Sequence, residues 1–152
     1  MPSTQATYDD ANLILRLYEL RRDEKLREAR AWFAANFTVK SPEELQRIAP
    51  PGSKENAYVR MVVSYWEMAA SLVTTGAIDG DAFRAAHGEI IGTFCKIQPH
   101  LAELRAVSGE ADICKHMEAV VLAIPDAEAL LSRRREWFRA AAAARESAKS
   151  AT

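Results

Sequence analysis

Glu67 is the residue whose type and position most demand an explanation. It interrupts the run Tyr65-Trp66-Glu67-Met68-Ala69-Ala70-Ser71-Leu72-Val73, which is apolar around most of a helical circumference. A carboxylate there either faces water or is paired inside the fold, because an unpaired buried charge is strongly destabilising. Arg60, Ser64, Glu67, Ser71 and Thr74 follow one another at intervals of four, three, four and three residues, which places them on one thin polar stripe. Two arginines are candidate partners. Arg60 stands two turns away on the same stripe, beyond the usual three- or four-residue reach, and Arg105 can approach only through tertiary packing. Pairing would create a polar pocket able to hold a small molecule, whereas an unpaired stripe would face solvent. No second acid stands beside Glu67, so general acid–base work has no visible partner and no catalytic residue is assigned.

His87 lies on an apolar seam, where a hydrogen-bonded core histidine is expected rather than a metal ligand. Cys95, His100, Cys114 and His116 are ligand types that zinc accepts. Five residues separate the first pair, roughly 140° around a helix, and two separate the second, roughly 200°, so neither pair converges and no metal is assigned. Neither a glycine-rich phosphate loop nor a nucleophile elbow is present, and no cofactor is expected. Gly88 and Gly92 give a one-turn small-residue spacing that would let another helix approach closely. Arg133, Arg134, Arg135 and Arg139, with Trp137 and Phe138 among them, form a basic surface candidate that could hold phosphates or lie on an anionic membrane. The ordinary arrangement of such a helix docks its aromatics and solvates its arginines.

The elements that must position these residues are helical. The chain has 152 residues, 49% hydrophobic and 27% charged, with only six glycines and six prolines, which favours one all-α domain. Net charge is −1, so no global field draws it to nucleic acid, although residues 133–152 carry six basic groups against two acidic ones. Two cysteines without a close pair indicate free thiols and a cytoplasmic location, and no stretch is long and apolar enough to span a membrane.

Thr7 with Asp10 predicts a helix start ahead of Leu13, Leu17 and Leu20. Asp23 then caps a second helix through Phe37, or one long helix runs through both. Ser41-Pro42-Glu43-Glu44 starts a short helix that ends before Pro50-Pro51-Gly52. Residues 54–75 form the predicted central helix. Asp79 caps the next, a kinked helix over about 80–107 whose seam Phe83, His87, Ile90, Phe94, Ile97, Leu101 continues past Pro99. Ile113 to Ile124 and a helix after Asp126 complete a bundle of five or six helices. Residues 1–6 are expected to be disordered, 7–139 to form the helical domain, and 140–152 to fray.

From Trp66 to Glu118 the chain resembles a family of uncharacterised, mostly bacterial helical proteins, domain of unknown function 4760. The order of parts carries the resemblance: Trp66-Glu67, a small-residue run to Gly76, then Ile78-Asp79, then Ile97, Pro99, Leu101 and Arg105, and after a short turn Glu118. It implies a compact helical fold without an established activity. Because it includes both Glu67 and Arg105, it gives their ion pair equal standing with the solvent-facing stripe. The expected function is a non-enzymatic helical interaction module. Its expected partner is a protein, a second copy included, since Leu13, Leu17 and Trp32 exceed what one helix normally buries.

Overall fold

The computed structural model describes residues 5–152. Residues 1–4 of the expected disordered start lie outside the described part, and Gln5 and Ala6 are exposed coil. Eight helices follow in order: α1 Tyr8–Arg21, α2 Glu24–Asn36, α3 Pro42–Ile48, α4 Lys54–Thr74, α5 Gly80–Ala86, α6 Glu89–Ser108, α7 Lys115–Leu122 and α8 Ala127–Ser150. No strand occurs among the described residues.

Most of the starts are written in capping side chains. Thr7 and Asp10 bond reciprocally across the first turn of α1. The Asp23 carboxylate accepts the Leu26 N–H at 3.0 Å, so the chain bends at Arg22-Asp23 and two helices form where one long helix was the rival. Ser41, Ser53 and Asp79 likewise cap α3, α4 and α5. α4 ends at Gly76, whose φ of +84° is the left-handed conformation that closes the helix, and the Ile78 N–H bonds back to the Leu72 carbonyl.

The described residues form eight helices rather than five or six, and residues 80–107 are not one kinked helix. α5 stops at Ala86, His87 leaves helical geometry at φ −123° and ψ 56°, and α6 begins again at Glu89. Pro99 stays inside α6. The seam runs unbroken in sequence because both helices turn their buried faces, Phe83 on one and Ile90, Phe94, Ile97 and Leu101 on the other, into the same core.

α4 is the central element, packed mainly between α2 and α7, with α8 lying across α6 and α7 and α1 against α5. Its Val62, Trp66, Ala69 and Ala70 meet Phe83, Ile90, Phe94, Met117, Val121 and Leu131 in one apolar core. Leu17 is buried and Leu13 and Trp32 pack on that core, so the side chains expected to be left over for a dimer are used internally. Tyr8, Leu15 and Tyr18 on α1 are exposed instead. The alanine-rich stretch from residue 140, expected to fray, is helical through Ser150, and Arg145 donates to the Ala35 carbonyl at 2.9 Å. No helix among the described residues is long and apolar enough to cross a membrane.

Candidate functional site

Glu67 neither pairs with an arginine nor simply faces water. Its two carboxylate oxygens accept the backbone N–H groups of His116 at 3.0 Å and Met117 at 2.8 Å. These are amides of the first turn of α7, which lack partners inside their own helix. α7 supplies no capping side chain of its own, since Cys114 at its cap sits in the left-handed region with φ +58°. Glu67 therefore caps a helix from outside it, and the positive end of that helix favours the carboxylate.

Arg105 works on the preceding turn. It donates to the Ile113 carbonyl through Nε at 3.0 Å and Nη2 at 2.8 Å, and its guanidinium lies 3.3 Å from Glu118. The expected Glu67–Arg105 pair is replaced by two separate clamps on the α6–α7 connection. Arg60 is exposed and away from both. The hydroxyls of Ser64, Ser71 and Thr74 bond back to carbonyls of α4, and Thr74 also meets His116 Nδ1 at 2.6 Å. Glu67, Arg105 and Glu118 are thus each held by partners within the protein.

The principal buried polar cluster lies elsewhere. The Glu89 carboxylate, at the start of α6, accepts from Arg21 Nη2 at 2.9 Å, from Arg30 Nε at 2.7 Å and from Arg30 Nη2. Arg21 also stacks over Trp66 at 5.3 Å and reaches His87 Nδ1 at 3.3 Å. His87 is almost wholly buried, edge-on to Trp66, and its Nε2 lies 3.2 Å from the Ile14 carbonyl. A carbonyl only accepts, so Nε2 carries the proton and Nδ1 accepts from Arg21, which makes the ring neutral. Burial and the neighbouring Arg21 charge both hold the His87 pKa below its usual value. Burial pushes Glu89 up, but the hydrogen bond and charge of Arg30, with Arg21, outweigh it and hold the carboxyl below its ordinary range. The same pairing raises Arg30. This cluster ties α1, α2, the α5–α6 break and α6 together.

His87 was visible in the sequence, whereas Arg21, Arg30 and Glu89 were not. The one available signal was His87 itself, since a histidine on an apolar seam needs polar partners from somewhere. The possible zinc ligands stay apart, each with its own surroundings. Cys95 Sγ donates to the Leu131 carbonyl at 3.3 Å, His100 meets the Val39 carbonyl, Cys114 lies in the turn and His116 meets Thr74. Burial raises the Cys95 thiol and pushes Cys114 up to about 11, so both are held protonated.

The basic segment of α8 divides. Arg133, Arg139 and Trp137 are exposed, while Arg134, Arg135 and Phe138 turn partly inward. Arg135 donates to Gln98 Oε1 at 2.8 Å. The Trp137 and Phe138 rings meet edge to face, 5.3 Å apart, with Trp137 exposed and Phe138 packed against the core. Gly92 lies under α8, where a Cβ would reach Phe138 Cζ at 3.4 Å, about van der Waals contact, whereas Gly88 faces open space. Two adjoining clefts, of about 470 and 300 Å³, lie along this seam and share Lys96 and Phe138 as their common wall.

The model of a family described as domain of unknown function (DUF4760) matches residues 6–123, which include α1 to α7 and leave α8 outside. No curated protein and no solved structure matches the chain.

Proposed function

We propose that this chain, which belongs to the DUF4760 family, is a non-enzymatic helical interaction module that pairs with a second copy of itself through the outer face of α1. The observation that carries the reading is an apolar stripe on that helix: Tyr8 is 81% exposed, Leu15 61% and Tyr18 52%. Seven and three residues separate them, so they share one side of α1, opposite the buried Leu17. Exposed apolar side chains gathered on one side of a helix, with the exposed charges Asp9, Arg16, Glu19 and Arg22 around and among them, can serve as a contact surface. A self-complementary strip on one helix suits a two-fold partner, the commonest arrangement of soluble oligomers.

The non-enzymatic part of the reading is supported by where the ionisable groups go. Glu67, Arg105, Arg21, Arg30, Glu89 and His87 each already hold a protein partner. Two buried free thiols support a reducing compartment, the cytoplasm.

Light scattering on the full chain at micromolar concentration tests the pairing. A mass of twice 16.9 kDa is expected, with Leu15→Lys returning it to 16.9 kDa while the melting temperature stays close to that of the unsubstituted monomer. A monomer at every concentration tried would remove the proposal.

A further inference from the structure

We propose that the cleft enclosed by α2, α6 and α8 is a binding site for a small organic anion, its charged head held by Arg27, Lys96 and Arg134 and its apolar body against Phe33 and Phe138. The cleft measures about 470 Å³, within the range of ordinary small-molecule sites. Four cations line it, Arg27, Arg30, Lys96 and Arg134, against the single carboxylate Glu89. That carboxylate is already matched by Arg30 and by Arg21 behind it. Arg27, Lys96 and Arg134 have no carboxylate partner among the described residues. Three uncompensated cations facing one concavity is an arrangement that a chain of net charge −1 does not reach by a general excess of basic residues.

The walls add selectivity. Lys96 Nζ lies 4.7 Å from the centre of the Phe138 ring and 5.7 Å from that of Phe33, and it donates to the Ala34 carbonyl at 2.9 Å. Its ammonium is thus fixed at the floor between two aromatic rings, with no carboxylate to neutralise it. Burial and the nearby Arg145 push the Lys96 pKa down to about 8, the direction that an incoming anion would reverse. Gly92 also lines the cleft, and a side chain built there would extend into the space beside Phe138 and Arg134. The Arg134 guanidinium and the Lys96 ammonium lining one cleft suit a phosphate or carboxylate head, and the rings suit an aromatic or aliphatic remainder. The inference does not depend on α1 pairing, because no α1 residue lines the cleft.

Calorimetric titration of the full chain with 1-naphthyl phosphate, 1-naphthoate, 1-naphthol and inorganic phosphate tests it. At least one of the two naphthyl anions should bind saturably at one per chain, with naphthol and inorganic phosphate each weaker by about tenfold or more. Arg134→Gln and Arg27→Gln should each weaken the anion by several-fold and leave the melting temperature nearly in place, because among the described residues neither side chain has a hydrogen-bond or ion-pair partner to lose. Gly92→Val should block binding, with its own melting curve showing that the chain still folds. The proposal is overturned if neither naphthyl anion binds at millimolar concentration, if naphthol binds equally well, or if both arginine variants bind like the wild type. It is also overturned if a short oligonucleotide binds far more tightly than either, since the seam would then serve a polymer.

Discussion

Glu67 and Glu89 are both half-buried carboxylates that hold helices together, and they do it by different means. Glu67 takes two backbone amides at the start of α7, so its charge is met by the partial positive charge of a helix end. Glu89 takes two guanidinium groups, from α1 and α2, with a neutral buried histidine alongside. The first arrangement stiffens one turn. The second joins four separate segments, and removing its centre strands two cations in a largely apolar surround. The difference shows that an acid conspicuous in sequence can have a modest local task while an ordinary-looking one organises the core.

Substitution separates the two most directly. Glu89→Gln should lower unfolding stability by about 3 kcal/mol in denaturant titration, the low end for breaking a buried ion pair, because the carboxylate is itself a third exposed. Glu67→Gln keeps one acceptor and loses the charge, so about 1 kcal/mol is expected from the same measurement. Equal losses would break the comparison.

Acid sharpens it. His87 is neutral when folded and has a lowered pKa, so the unfolded chain binds the extra proton and stability falls as pH drops through about 6.5. The expected slope is at most about 1.4 kcal/mol per pH unit between pH 7 and 5. His87→Gln should flatten that limb of a melting series. Glu89, held below its ordinary range, gives up its contribution only at lower pH, below about 4.5. A separate effect lies on the alkaline side. Lys96 titrates near 8 when folded and near 10.5 when unfolded, so the unfolded chain holds more protons in between and stability should rise from pH 8 to 10. Lys96→Met should abolish that rise.

Much of the fold was legible because helix starts are local events. Asp23, Ser41, Ser53 and Asp79 each bond to an amide three residues ahead, and a distance of three residues is visible in any sequence. The break at His87 was hidden because the apolar spacing passes through it. Both helices face one core, and spacing records which side is buried rather than whether the backbone hydrogen bonds continue. The Glu89 cluster was hidden for another reason: its arginines lie 59 and 68 residues away, with no periodic relation to it. For Glu67 the unusual residue was found and the partner was not, since a backbone amide is the same at every position and carries no signature.

The hydrogen bond from Arg145 to Ala35 joins residues 110 apart. On the ribosome, α2 is complete long before residue 145 exists, and its last carbonyls first meet Lys96 when α6 emerges. A second partner, Arg145, follows only after α8 has been made. The end of α2 therefore gains this partner only after 110 further residues have been made, so its closing is a late step rather than an early one.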